Sequence, residues 1–388
     1  METLEETVQS PSTEKRKKSS HMKDKTPKLK KDKSQKKSKI SACFNIIISL
    51  FITGLCIGLL LLYGPYNKFR AWYITTAMTT MTHQYLATWF YSAETINDVL
   101  DKNKIVEVDG ITDTNLINTN QTVDSNNNSQ ETITYANEYE KAVLEKDQNH
   151  PGYKLIDIKE KNYEGYLAVV YDASTIHTMV TSNLNVSGQY VTTMAKNHKA
   201  VLAINGGGFE DPNRVGTGGT PLGITMAYGK VITNSPYGGA GGMIGFDTNN
   251  KLVLGKVSVK QAKEMNVRDC VTCGPFLIIN GKSSAVLGNG GWGTAPRTAI
   301  GQRQDGIVLM LVVDGRKVGM PGADMDDLIE IMERYGAYNA AALDGGTSTV
   351  MVENYEIIND PVNGSGVHKT RPIATAFGVI LNEDENEN

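Results

Sequence analysis

Four cysteines in 388 residues are too few for a fold held by disulfides. Two of them, Cys43 and Cys56, fall inside an uncharged apolar run, where they act as apolar fillers. The other two form Cys270-Val-Thr-Cys273. No second cysteine pair completes a zinc site. The Gly-Pro-Phe that follows leads into a strand, not the helix of a thioredoxin-like centre. The favoured reading for this pair is a local disulfide or two buried thiols, and a redox or metal role is the alternative. Also missing are a Ser-His-Asp pattern, a His-Glu-x-x-His helix, a phosphate-binding P-loop and any internal repeat, so the common hydrolase and nucleotidase signatures give no lead. His83 has no neighbouring His or Cys and reads as structural.

Charge is scarce over one stretch and crowded just before it. Residues 1–39 hold 13 Lys/Arg against 6 Asp/Glu, leaving 26 against 36 for the rest of the chain. This basic block has no apolar periodicity and is expected to be a disordered cytoplasmic tail. Residues 40–63 then carry no charge at all. At 1.5 Å per residue such a helix is about 36 Å long, enough to span a bilayer. The run is too long for a signal-peptide core and lacks a small-x-small site after it, so it reads as an uncleaved anchor. The positive-inside rule keeps the basic side cytoplasmic and puts residues 64–388 outside, at the cell surface. Topogenesis accounts for the basic charge, and no nucleic acid is expected as a partner.

Residues 64–111 are rich in aromatics and read as a stalk or interfacial helix, with Trp72, Tyr73, Trp89 and Tyr91 suited to headgroup level. Residues 112–150 begin with a polar Asn/Thr/Ser tract and read as a linker. From 151 to 382 short β-rich runs alternate with Gly-rich turns and a few helices, and an acidic tail, 383–388, follows. The fold class predicted is α+β, a large mixed sheet with few helices, preceded by a single transmembrane helix. Within it, 296–315 is a hairpin folded at Gln304-Asp305-Gly306, which sets Arg297 across from Val312 and Thr298 from Leu311. A helix over 324–337 follows, with acids in its first turn and a Gly336 stop. The strand 338–343 then runs into Asp344.

This order predicts a chemical site. A strand–helix–strand unit normally gives a parallel pair, placing Asp314 and Asp344 at the C-terminal ends of their strands, on one edge of the sheet. The hairpin brings Arg297 there. Gly345, Gly346 and Thr347 follow Asp344, and Asn205-Gly206 ends another strand. Arginine offers a planar fork for phosphate oxygens. Glycines admit close backbone approach and N–H contacts to an anion. Paired carboxylates suit acid/base or nucleophilic work at a sugar anomeric centre, and the same oxygens can equally hold Ca²⁺ or Mg²⁺. No cofactor is required by the sequence. The catalytic candidates are Asp344, Asp314 and Arg297. The substrate-binding candidates from this convergence are Asn205, Gly206, Gly345 and Gly346.

In sequence order, "LAINGGGFED", "PLGITMAYGKVI", "CGPFLIINGK", "PRTAIGQRQDGIVLMLVVDGR", "ALDGGTSTVMV" and "RPIATAFGVIL" resemble the motifs of the phosphodiester glycosidase family. This is the family of the uncovering enzyme, with bacterial members of exopolysaccharide-biosynthesis type. The resemblance covers about residues 190–382. It implies hydrolysis of a sugar-1-phosphodiester with release of the sugar, and adds Thr298 and Thr347 to the substrate-binding candidates; the anchor and basic tail point to a cell-surface glycan as the substrate. Two departures stand out. "DGGTST" replaces a DGGGSS-like loop, and "NGGGF" lacks the aromatic of NGGYF. Both bear on the sugar pocket. The rival readings are a non-catalytic glycan-binding module and a metal-dependent phosphodiesterase.

Overall fold

The computed structural model describes residues 31–79, 83–119, 134–150, 152–211 and 218–381, with backbone alone over 31–40. Contacts divide the chain into two compact units, Met1–Gly64 and Pro65–Asn388. Among its described residues the first holds one helix, Lys31–Tyr63. Its segment Ser41–Tyr63 is long and apolar enough to cross a membrane. The helix starts well before the apolar run, so residues 31–39, expected to be disordered, are helical. Once the apolar segment has formed turns, each added residue needs only propagation, and Lys and Gln propagate well. The rest of the basic tail, most of the polar tract and the acidic tail lie outside the described residues.

The second unit is α+β. Its centre is a seven-stranded sheet ordered 282–283, 276–279, 337–342, 297–303, 308–313, 164–170, 153–159. Two five-stranded sheets pack on it. One contains Leu202–Asn205, Thr375–Val379 and Met351–Glu353, the other Gly242–Asp247 and Val267–Cys273. The uninterrupted apolar run 308–313 is explained by burial on both faces. Val308, Met310 and Val312 enter the core shared with the smaller sheets, while Leu309, Leu311 and Val313 pack under the helix Met325–Arg334. Each such side chain contributes roughly 1.5–3 kcal/mol by leaving water. The helix is set by a reciprocal cap: Asp324 accepts from the Asp326 and Asp327 amides, and Asp327 accepts from the Asp324 amide. Leu328, Ile329, Ile331 and Met332 are its buried side, and Gly336, at φ +82°, ends it.

Two expectations change. The strands 308–313 and 337–342 do run parallel, but they are not neighbours: 297–303 lies between them, antiparallel to both. Every ladder between strands is antiparallel among the described residues. A three-residue turn brings the hairpin partner alongside at less entropic cost than the helical crossover, so the hairpin takes the slot. The hairpin register also differs by one residue. Arg297 faces Val313 and Thr298 faces Val312, because the loop is centred on Asp305 with Gly306 at φ +88°.

Residues read as stalk and linker pack on this same unit. Helices Asn67–Met78, Tyr85–Thr88 and Ala93–Lys102 enclose a small core of Ile74, Ala77, Ala87 and Ile96. Ile105–Val106 pairs with Ala285–Val286, and Glu107 accepts from the Phe276 amide. Thr112 is bonded to both Leu252 and Leu254.

Candidate active site

The strand Ala337–Ala342 stops at Leu343, whose amide still bonds the Thr298 carbonyl at 2.8 Å. The chain then bends. The Asp344 amide turns to the Gly206 carbonyl at 3.1 Å, and the Gly346 amide reaches the Pro296 carbonyl at 2.8 Å. Gly346 has φ +64°, a conformation that favours glycine, and a Cβ there would come 2.8 Å from Arg316 Nη2. Gly206 is needed for a different reason: a Cβ would sit 2.7–2.8 Å from Thr375.

Asn205 ties these pieces together. Fully buried, it donates from Nδ2 to the Asp344 carbonyl and accepts at Oδ1 from Thr298 Oγ1 (2.7 Å) and the Val350 amide (3.1 Å). Three elements of two sheets thus meet at one side chain. Asn205, Gly206, Thr298, Asp344, Gly345, Gly346 and Thr347 are therefore brought together. Asn205 and Thr298 spend their polar atoms on the scaffold, and Thr347 Oγ1 accepts from Arg316 Nη1 at 3.1 Å.

The two acids share the sheet edge but not the surroundings. With a strand between them, their backbones stand two strand spacings apart, about 10 Å. Asp314 is 3% exposed and fully engaged. Its Oδ1 accepts from Asn359 Nδ2 and its Oδ2 from the Asp360 amide, both at 2.8 Å. Lys317 Nζ, which also pairs with Glu164 and Asp360, stands 3.7 Å away. Burial raises the Asp314 pKa, against the pull of Asn359 and the Asp360 amide. A cavity of about 320 Å³ lies on this side, lined in part by Glu164, Tyr166 and Asp360. Asp344 is different. It is partly exposed, and its carboxylate has no hydrogen-bond partner among the described residues. Burial raises its pKa, opposed by the neighbouring Ser348 hydroxyl, Arg371 and the Gly345 amide. The Ser348 hydroxyl is buried and makes no well-aligned hydrogen bond among the described residues. Arg371 is held by Asp211 at 3.1 Å, with its guanidinium 4.7 Å above the Phe209 ring.

Arg297, expected at the same edge, is there, but on the helix side of the sheet. Its Nε donates to the Ala323 carbonyl (3.2 Å), and its Nη2 donates to the Trp292 and Gly293 carbonyls (2.7 and 2.6 Å). Burial pushes its pKa down to about 10. Only Nη1 is uncommitted, 3.6 Å from where a Gly345 Cβ would stand. Arg316 has more donors to spare than Arg297. Its Nη1 bonds Thr347 and the Val362 carbonyl, leaving Nε and Nη2 without partners among the described residues. It sits at φ +61°, a conformation rare for a residue with a side chain. The sequence reading passed over Arg316 and Arg371, although both lie in the quoted motifs. The signal available was a second Arg two residues after Asp314. Tyr237 and Cys273, whose ionisation Asp344 also disfavours, gave no such signal.

The cysteine pair resolves as two buried free thiols. They lie three apart on one strand, on opposite faces, Cys273 in the central core and Cys270 in an outer one. As for a metal, no group of three or more His, Cys, Asp or Glu gathers to hold one among the described residues. The Asp314 oxygens already face N–H donors and an ammonium.

A family model described as phosphodiester glycosidase matches residues 198–380, a stretch that holds every candidate site residue. The resemblance read in the motifs is thereby shown. The SPbeta prophage-derived uncharacterized protein YomE of Bacillus subtilis (strain 168) is 28% identical over 183 residues, covering 45% of this chain and 27% of that protein. The match thus spans about a quarter of that relative's length. Among solved structures, the chain is similar to the zebrafish N-acetylglucosamine-1-phosphodiester alpha-N-acetylglucosaminidase catalytic domain auto-inhibited by its pro-peptide. The TM-score is 0.50 and the identity 21%, over 61% of this chain and 86% of that one. This likeness is one of fold.

Proposed function

We propose that the chain is a membrane-anchored hydrolase that cleaves a sugar-1-phosphodiester in a cell-surface or exopolysaccharide glycan and releases the sugar. Its N-terminus is cytoplasmic and residues 64–388 are extracellular. The observation that carries this reading is Asp344, a carboxylate without a hydrogen-bond partner among the described residues, presented on a glycine-lined bend beside an arginine with free donors. The match to the phosphodiester glycosidase model supports the reaction class.

In this reading the sugar C1 faces Asp344 and the phosphate faces Arg316 Nε and Nη2. The C1–O bond breaks, and its electron pair leaves with the phosphate, already a good leaving group that needs charge clamping more than a proton. Asp344 either attacks C1, giving a glycosyl-enzyme that water then opens, or takes a proton from the attacking water. Either way water's OH ends on the sugar and the phosphate leaves as a monoester. Asp314 and Arg297 act at a distance. The first sets the loop 358–360, and the second holds Pro296 and its loop under Gly346.

The test is sugar release from a panel of sugar-1-phosphodiesters in ¹⁸O water, with and without EDTA. Label in the sugar supports C–O cleavage. Label in the phosphate assigns a phosphodiesterase instead, metal-dependent if EDTA stops it. No release by wild type, with glycan binding intact in Asp344→Asn, assigns a binding module.

A further inference from the structure

The helices that follow the apolar span are built on two sides. Inward, Ile74, Ala77, Ala87 and Ile96 form their core, and Tyr73 turns in to donate to the Leu86 carbonyl at 3.0 Å and to meet Tyr91 edge-on. So of the four aromatics suited by sequence to headgroup level, Tyr73 and Tyr91 are spent on packing. Outward stand others. Tyr66 is 47% exposed, Trp72 47%, Tyr85 40%, Trp89 74% and Phe90 38%. Tyr85 and Trp89, one turn apart, have ring centroids at 4.7 Å, and Phe69 and Trp72 at 5.6 Å. Residues 64–93 hold Lys68 and Arg70 and no acid. A soluble body has no reason to display this many large rings on two short helices.

This collar is fixed to the catalytic body. Asn289 Nδ2 donates to Thr75 Oγ1 (2.9 Å), the Asn289 amide to Asn103 Oδ1 (3.0 Å) and the Leu287 amide to the Lys104 carbonyl (2.9 Å). The loop it grips, 287–293, is the one whose Trp292 and Gly293 carbonyls hold Arg297.

We propose that helices 67–78 and 85–88 lie in the headgroup region of the bilayer that Ser41–Tyr63 spans, with Trp72 and Trp89 as anchors, and so hold the catalytic body in one attitude on the membrane. The occupant is argued from continuity. Only residues 64–66 separate the apolar run from the next helix, at most about 14 Å of extended chain. Amphipathic rings with basic neighbours and no acid match an anionic headgroup layer. This proposal rests on the anchored reading of residues 41–63.

The chain has three tryptophans, so Trp292→Phe leaves Trp72 and Trp89 as the only indole reporters. This full-length variant, placed in nanodiscs of phosphatidylcholine and phosphatidylglycerol, is expected to show blue-shifted emission. Lipids brominated near the headgroup should quench it severalfold more than aqueous acrylamide does, and Trp89→Ala should lower that lipid quenching. Water-like emission that acrylamide quenches and bromolipid does not, from chains retained on nanodiscs, overturns the collar while leaving the anchor intact. Chains that elute free of nanodiscs overturn the anchor and the collar together. Shielding that appears only on adding other proteins assigns the face to a protein partner and overturns the proposal.

Discussion

Asn205 and Asp344 lie 139 positions apart, and the side-chain amide of the first is bonded to the main-chain carbonyl of the second. The same asparagine receives Thr298 and Val350. Asn205→Ala therefore leaves a buried hydroxyl, amide and carbonyl without partners. It should lower unfolding stability by about 2–3 kcal/mol. Thr298→Val, which removes one of the three bonds, should cost about 1 kcal/mol. Urea denaturation of the two variants checks the order.

The acids should separate in their effects. Asp344→Asn should abolish sugar release. It should also raise the thermal midpoint at neutral pH, because burial penalises the charge more than Ser348, Arg371 and the Gly345 amide favour it. Asp314→Ala should do the reverse, costing about 1–3 kcal/mol through the stranded Asn359 and Asp360 donors. Paired calorimetry and activity on both variants decide it; a destabilised Asp344→Asn would contradict the open carboxylate.

The activity of Asp344 should fix the acid limb of the pH profile. Its pKa is raised in the folded protein, so the ionised form needed by a base or nucleophile is lost as pH falls through that raised value, before an ordinary aspartate would protonate. The sign for stability is opposite: the folded state binds this proton more tightly than the unfolded chain, so Asp344 alone favours folding as pH drops through the same range. Measuring kcat/KM and thermal midpoint over one pH series should show the two curves diverging.

Arg316→Ala should raise KM or lower kcat/KM at least tenfold, equivalent to about 1.4 kcal/mol, with little change in stability. Arg297→Ala should act on stability first, since it strands three carbonyls in a packed loop. Arg297→Lys cannot replace a fork that spans them. If Arg316→Ala retained wild-type kinetics, the phosphate seat would have to move to another group.

Cys270 and Cys273 should stay unmodified by iodoacetamide in the native protein and react once it is denatured without reductant. Burial pushes both thiols up to about 12, which removes the thiolate at neutral pH.

Much of the scaffold was legible because its periodicity is strong. The run 307–313, the capped helix after Asp324 and the Gly-marked turns announce themselves locally. The register of the central hairpin was read one residue off because the loop could centre on two positions, and only packing chooses. Neighbourhood was less legible than direction. Asp314 and Asp344 were placed on one edge by strand sense alone, yet pairing order set a whole strand between them. Arg297 looked like a clamp because a sequence shows which donors exist and not which carbonyls consume them. Arg316 was overlooked for the complementary reason, since a strained φ and unspent donors appear only in three dimensions.

The central hairpin 297–313 closes through a short turn, whereas the Asn205 bonds need contacts 93, 139 and 145 positions apart. Contacts of that separation form late, after the local ones have shortened the effective loop. Asp344 therefore acquires its bend only when both sheets have docked. A partly folded chain carries every candidate residue and no assembled site, so on the proposed reading activity should appear only with the final step of folding.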